Sequence, residues 1–241
     1  MQGDIRVQAS PAGLVVLPPA PAGAAVLYLS DGRGSPLDLA GLIAERTGAI
    51  VVCARYRPEF PAALDDALDA YRQCEPSGRP VAVVGDRMGA GLAAALLVSL
   101  RDSGAVRPGC AVLVSPLLDL TMRAPSLQLN ASADPTFDLS ELQRRVARYA
   151  ADAMLTDPLL SPLYANLHGL PPVRLLAAGT DPLLDDSLAF AARAARSGVT
   201  VDLRVRPDAA SLRAEADTDI AGFVRAFAGA APAAGKAVHP A

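Results

Sequence analysis

Short apolar segments alternate with segments of helical spacing along most of this chain. The apolar runs AAVLYL (24–29), AIVVCA (49–54) and PVAVVGD (80–86) have the length and composition of strands that are buried on both faces. Between them, apolar residues recur every three or four positions, as in an amphipathic helix. Strands that alternate with helices form a mainly parallel central sheet with helices on both faces, so we expect an α/β fold.

The same patterns place the individual elements. Two segments near the beginning, DIRVQAS (4–10) and GLVVLPP (13–19), are expected to form an antiparallel edge of the sheet. Later strands are expected in CAVLVS, VRLLAAG and VTVDLRV. Helices are predicted at 36–47, Pro61–Cys74, Ala90–Arg101, Leu184–Ser197 and about Ile220–Ala228, and one more begins at a capping box formed by Asp138 and Glu141.

The length of 241 residues suits one domain, and we predict a single α/β domain over residues 1–241. One irregular excursion, residues 119–165, interrupts the alternation and is interpreted as a cap-like insertion. The tail at 230–241 is rich in Ala, Pro and Gly and is expected to be disordered.

Charge and cysteine usage exclude several classes of protein. The formal net charge is −3 and the pI is near 5.4, which argues against a nucleic-acid partner. No apolar run reaches membrane-spanning length and no signal peptide is evident, so we expect a cytoplasmic protein without membrane contact. The three cysteines show no metal-binding spacing, and neither a metal nor a cofactor is predicted.

The stretch VVGDRMGAG (83–91) is typical of a strand that turns sharply at glycines into a helix. Enzymes that use such a turn place a nucleophile between the glycines. Here that position holds Arg87. A guanidinium has no acceptor lone pair and stays protonated, so Arg87 is neither a nucleophile nor a general base.

Several segments resemble, in order and approximate spacing, the hormone-sensitive-lipase-like esterases of the α/β-hydrolase fold. They are YRPEFPAALDDALDAY (56–71), GDRMGA (85–90), VSPLLDL (114–120), DPLLSPLYANLHGLPP (157–172) and GTDPLLDD (179–186). The resemblance covers roughly residues 24–228 and implies the α/β-hydrolase fold. The N-terminal cap helices usual in that family have no counterpart, so a reduced cap must come from residues 119–165.

The resemblance also implies positions for the family's catalytic groups. The acid of the Ser–His–Asp triad corresponds to Asp181, the nucleophile to Arg87, and the histidine to Ser211 in PDAASL. The oxyanion turn HGGG corresponds to SDGR (30–33) and keeps only Gly32 of its three glycines. The two histidines of the chain, His168 and His239, fall elsewhere.

The residues expected around a ligand lie at the carboxyl ends of the strands, where open α/β sheets bind their ligands. They are Arg87, Met88, Ser30, Asp31, Gly32 and Arg33. Two interpretations of Arg87 stay open. Its guanidinium either pairs with Asp181 and fills a retired pocket, or binds a carboxylate or phosphate at the N-terminus of the following helix.

These residues lead us to expect a pseudoenzyme that no longer hydrolyses esters. We expect it to bind a small anionic or carboxylate metabolite or a protein partner. The alternative is an enzyme of altered mechanism, a lyase or cyclase of natural-product metabolism that uses Arg87 and Asp181. Residual carboxylesterase activity ranks last. The expected partners are a small-molecule acid or ester-like ligand, a second copy of the chain, or an active relative.

Overall fold

A computed structural model describes residues 5–32, 34–75, 78–133 and 137–228. The described strands form one eight-stranded sheet in the order β1-β2-β4-β3-β5-β6-β7-β8. Strands β1, β2 and β4 pair antiparallel, and all other neighbours pair parallel. The strand bounds are β1 Arg6–Ser10, β2 Gly13–Leu17, β3 Ala25–Leu29, β4 Ile50–Ala54, β5 Val81–Asp86, β6 Cys110–Val114, β7 Val173–Ala178 and β8 Val201–Arg206.

Helices cover both faces of this sheet, as the alternating pattern predicts. Helices α1 and α7 pack on one face, and α2, α3 and α6 pack on the other. The α/β-hydrolase fold is therefore confirmed. The helix bounds are α1 Pro36–Thr47, α2 Ala62–Cys74, α3 Arg87–Asp102, α4 Ser126–Leu129, α5 Leu139–Ala150, α6 Leu184–Arg196 and α7 Ala209–Ala228. Among the described helices, none combines the length and apolar composition that a membrane crossing requires.

Two helix starts differ from the sequence prediction. Helix α3 begins at Arg87 rather than Ala90, because the turn after β5 leads directly into helical hydrogen bonding. Helix α7 begins at Ala209 rather than Ile220. The Asp208 carboxylate accepts a hydrogen bond from Ser211 N at 2.7 Å and so caps α7 eleven residues earlier than predicted.

The excursion at 119–165 packs against the start of α3 and the loops that follow β6 and β7. It contains α4, α5 and two short 3₁₀ helices, at 131–133 and 162–164. The Asp138 carboxylate accepts from the backbone N–H groups of Ser140 and Glu141, which confirms the predicted start of α5. The apolar side of α5, formed by Leu142 and Val146, packs into a third hydrophobic cluster near the start of α3. The predicted disordered tail at 230–241 lies outside the described residues.

Asp186 in the first turn of α6 holds the loop after β6 in place. One of its carboxylate oxygens accepts from Leu118 N at 2.6 Å and from Asp119 N at 3.0 Å. Burial and, to a smaller extent, the charges of Asp119 and Asp185 raise the pKa of Asp186 to about 6, although these two hydrogen bonds lower it. The ionised carboxylate therefore costs stability at neutral pH even though it is hydrogen-bonded.

We expect Gly91→Ala and Gly222→Ala to change stability in opposite directions. A Cβ on Gly91 in α3 would lie 2.3 Å from the Leu117 carbonyl oxygen, whereas a Cβ on Gly222 in α7 meets nothing within 4 Å. Gly91→Ala should cost about 1–3 kcal/mol through overpacking, and Gly222→Ala should add about 0.5–1 kcal/mol through helix propensity. Urea unfolding followed by circular dichroism measures both. Equal midpoints for the two variants would contradict this packing.

We expect Asp186→Asn to stabilise the protein only at higher pH. An amide oxygen can accept both backbone bonds, and the variant lacks the desolvated charge. The folded-state pKa lies above the unfolded value of about 4, so the cost of the charge is absent below about pH 4 and complete above about pH 6. The gain should be about 1–3 kcal/mol at pH 8 and near zero at pH 4. Urea midpoints measured at both pH values test this, and Asp186→Ala should destabilise at both because it removes the acceptor.

Candidate functional site

The turn between β5 and α3 has the geometry that the sequence predicts. Arg87 stands at its tip with a φ of 47°, which is strained for a residue with a side chain. Both flanking glycines are sterically required. A Cβ on Gly85 would lie 2.6 Å from the Gly89 carbonyl oxygen, and a Cβ on Gly89 would lie 2.1 Å from the Leu29 carbonyl oxygen. We call this turn, residues 85–89, the elbow. Its backbone has the shape that presents a nucleophile in such enzymes, but an arginine occupies the nucleophile position.

Arg87 is half-buried and faces a narrow cavity of about 10 Å³. Asp31, Met88, Leu183 and Arg145 also line this cavity. Because Arg87 is the first residue of α3, the backbone N–H groups of the first helical turn are close by and have no acceptors within the helix. The elbow thus presents a guanidinium and a helix N-terminus, both of which favour negative charge.

The turn after β3 brings a carboxylate to the elbow. Asp31 donates its backbone N–H to Asp86 Oδ1 at 3.0 Å, and its own side chain is 1% exposed. Ser30 accepts a hydrogen bond from the Tyr56 hydroxyl through its carbonyl oxygen. Gly32 has a φ of 78°, which favours glycine at this position. The structure therefore places Asp31 beside Arg87, as expected, while Arg33 lies outside the described residues.

A larger cavity of about 600 Å³ lies on the other side of this turn. It is lined by Ser10 and Leu14 of the hairpin, by Cys53, and by Ser30 and Gly32. Of the predicted ligand contacts, Ser30 and Gly32 therefore face this cavity, Arg87 and Met88 face the narrow one, and Asp31 lines both.

Asp86 is an ionisable residue of the site that the sequence analysis missed. Its carboxylate accepts hydrogen bonds from Asp31 N and from the Tyr28 hydroxyl. Burial and, to a smaller extent, the charge of Asp31 raise the pKa of Asp86 to about 6, although the two hydrogen bonds and the charge of Arg87 lower it. The sequence signal that could have identified Asp86 is its position directly before Arg87, the residue at the tip of the turn.

Arg145 on α5 is the second missed residue. Its guanidinium lies 3.4 Å from Asp31 Oδ2 and also donates to the Asp31 carbonyl oxygen. The 119–165 insertion therefore closes over the elbow through an ion pair with the turn after β3. The two residues are 114 positions apart, and nothing in the local sequence pattern links them.

Asp181 is buried and holds the start of α6. Its Oδ1 accepts from Leu183 N at 2.9 Å, and its carbonyl oxygen accepts from Asn130 Nδ2 at 3.0 Å. Leu183 lines the narrow cavity at Arg87. The Asp181 side chain thus stabilises the turn directly before α6, and any catalytic role for it stays a prediction.

Neither Ser211 nor His168 is among the residues that line the elbow cavities. Ser211 lies in the first turn of α7, where its backbone and its hydroxyl are hydrogen-bonded to Asp208. His168 is exposed beside Arg101, which donates to its carbonyl oxygen near the C-terminus of α3. At 1.5 Å per residue, Arg101 lies about 20 Å along the helix axis from Arg87. The other histidine, His239, lies outside the described residues.

Comparison with known proteins agrees with this geometry. A family described as alpha/beta hydrolase fold matches residues 27–210. A crystal structure of an esterase from the bacterial hormone-sensitive lipase family superposes with a TM-score of 0.87 at 31% identity, covering 94% of this chain and 86% of that one.

Several similar proteins carry the names of ester hydrolases. An acetyl-hydrolase of Streptomyces hygroscopicus is 36% identical over 199 residues, which cover 77% of this chain and 67% of that protein. An ethyl acetate hydrolase of Pseudomonas putida is 37% identical over 213 residues, with 78% and 65% covered. An esterase of Acinetobacter venetianus is 33% identical over 171 residues, with 68% and 56% covered. The chain thus spans between about half and two thirds of the length of these relatives.

The expectation of a pseudoenzyme is wrong. The similar proteins are named esterase, acetyl-hydrolase and ethyl acetate hydrolase, and they point to hydrolase function. The lyase or cyclase alternative gains no support from them. The expectation was based on the side chain at position 87 alone. The structure shows that the backbone of the turn is retained, with its close contacts at Gly85 and Gly89 and the strained φ of Arg87. By sequence, sheet order and elbow geometry, the chain belongs to the α/β-hydrolase fold family, among its hormone-sensitive-lipase-like esterases.

Proposed function

We propose that this protein hydrolyses carboxylic esters with short acyl groups. The observation that carries the proposal is the strained elbow, which directs Arg87 and the N-terminus of α3 toward a cavity shared with Asp31. The names of the relatives, an acetyl-hydrolase and an ethyl acetate hydrolase, support this substrate class.

Water is the nucleophile in this proposal, because Arg87 has no lone pair to offer. Among the described residues, Asp31 is the carboxylate that lines the narrow cavity together with Arg87. Asp31 takes a proton from water as the water oxygen bonds to the ester carbonyl carbon. The protonated Asp31 then returns that proton to the departing alcohol oxygen as the ester C–O bond breaks. The products are a carboxylic acid and an alcohol.

Two groups at the elbow stabilise the negative oxygen of the tetrahedral intermediate. The Arg87 guanidinium supplies a positive charge, and the backbone N–H of Met88 is the donor that this fold directs at an oxyanion. Asp86 acts as a positioning residue, because its carboxylate accepts from Asp31 N and so fixes the turn that holds the general base.

We also propose that the protein is located in the cytoplasm. It is supported by Cys53, Cys74 and Cys110, which are buried free thiols and fit a reducing compartment.

We expect the protein to hydrolyse 4-nitrophenyl acetate faster than buffer alone, and we expect Asp31→Asn to lower kcat by about 100-fold or more, the usual contribution of a general base. Arg87→Met keeps the side-chain length without the charge and should lower kcat by about 100-fold, as loss of an oxyanion donor does. Release of 4-nitrophenol measures both effects.

Asp69→Asn is the matched control, because Asp69 is an exposed acid paired with Arg72 on the surface of α2. It should leave kcat unchanged. Hydrolysis that survives both Asp31→Asn and Arg87→Met would contradict the mechanism. Covalent labelling of a serine by a fluorophosphonate would do the same, since a serine would then be the nucleophile.

We expect the pH profile of kcat/KM to depend on Asp86. With a pKa of about 6, Asp86 is ionised above that pH, and protonation below it weakens the acceptor that holds Asp31 N. Activity should therefore fall as the pH drops through about 6. Asp86→Asn keeps an oxygen acceptor and should remove this step from the profile measured between pH 5 and 8. An unchanged profile in the variant would show that another group titrates.

A further inference from the structure

Helix α5 presents two arginines to the crevice beside the elbow. Arg145 and Arg148 are three residues apart and therefore lie on one side of the helix. Both line a cavity of about 90 Å³ that continues from Asp31 toward Met88. Arg144 differs from them, because it is exposed and pairs with Glu141 at 2.8 Å.

The two crevice arginines differ in their partners. Arg145 is held by the buried carboxylate of Asp31. The side chain of Arg148 forms no ion pair or hydrogen bond with any residue in the part of the chain that the structure describes. Its exposed guanidinium lies at the mouth of the crevice.

The remaining walls of this cavity are apolar or aromatic. They are formed by Tyr56, Pro58, Met88, Leu92 and Tyr149. Such walls suit the carbon skeleton of a ligand, while the arginines suit a carboxylate at its end. The combination fits a small molecule with an apolar body and one negative charge.

The cavity is too small for such a molecule in the conformation described. Ligand sites usually measure about 300–1,000 Å³, against about 90 Å³ here. Outward movement of α5 would enlarge this crevice and would separate Arg145 from Asp31. The insertion has non-glycine residues of positive φ at Met122 and at Ala151, directly after α5, and such terminal positions can absorb a hinge movement.

We infer that the substrate is an ester that carries a carboxylate, which Arg148 and Arg145 bind when α5 opens. The substrate carboxylate replaces Asp31 as the partner of Arg145, so the guanidinium stays paired throughout. A substrate carboxylate at Arg148 and Arg145 holds the ester beside Asp31, and a neutral ester lacks this contact. This inference rests on the proposed ester hydrolysis and specifies its substrate class.

The test compares two esters that differ in one charge. 4-Acetoxybenzoate carries a carboxylate remote from its acetyl ester, and methyl 4-acetoxybenzoate masks that carboxylate. Wild-type kcat/KM for acetyl cleavage should be about five- to tenfold higher for the charged ester, the range of an accessible charge-assisted contact. Arg148→Gln should remove this preference by lowering kcat/KM for the charged ester about five- to tenfold. Arg144→Gln, on the outer side of α5, should change neither value.

Binding of 4-hydroxybenzoate, measured by calorimetry, separates this inference from the proposed function. Arg148→Gln should weaken binding about five- to tenfold, and Arg144→Gln should not. If neither ester is hydrolysed but binding depends on Arg148, the anion site stands and the hydrolase proposal fails. If both esters are hydrolysed equally by wild type and Arg148→Gln, the hydrolase stands and the inference is overturned. Absence of 4-hydroxybenzoate binding to wild type also overturns it.

Discussion

The close approach of α3 to the end of β3 determines the geometry of the whole site. The α-carbon of Gly89 lies so near the Leu29 carbonyl oxygen that a Cβ would stand 2.1 Å from it. With the helix fixed against the neighbouring strand, the chain can enter α3 only through a tight turn, and Arg87 takes the left-handed conformation that this turn requires. Asp86 then falls beside the turn after β3, where it accepts from Asp31 N.

Apolar packing and the Arg145–Asp31 ion pair attach the insertion to this frame. The two contribute different amounts of free energy. Burying one leucine such as Leu142 contributes about 1.5–3 kcal/mol, and Leu142 is one of several apolar residues of the insertion in the third cluster. A largely buried ion pair such as Arg145–Asp31 gains much less net energy, because both charges lose water. Packing therefore holds α5 near the elbow, and the ion pair fixes which side of α5 faces the turn after β3.

Much of the fold could be predicted from the sequence, because its signals are local. Apolar runs located the strands, and a capping aspartate located the start of α5. The start of α7 was missed because the capping role of Asp208 was not recognised. The Asp31–Arg145 pair could not be predicted, since the sequence separation of 114 residues leaves no periodic trace. The raised pKa of Asp86 depends on burial by other elements, which local patterns do not report.

Arginine at the elbow changes which effects can accelerate ester hydrolysis. A serine nucleophile splits the reaction into two easier steps through an acyl-enzyme, and that route is closed to a guanidinium. What remains is general-base catalysis, worth about 10²–10⁴-fold, and oxyanion stabilisation, worth about 10²–10³-fold per donor. With one donor, their product is about 10⁴–10⁷-fold, a range that includes the lower limit of enzymatic rate enhancements near 10⁶. In the proposed mechanism, turnover then depends strongly on how closely Arg87, Asp31 and the attacking water are positioned around the ester.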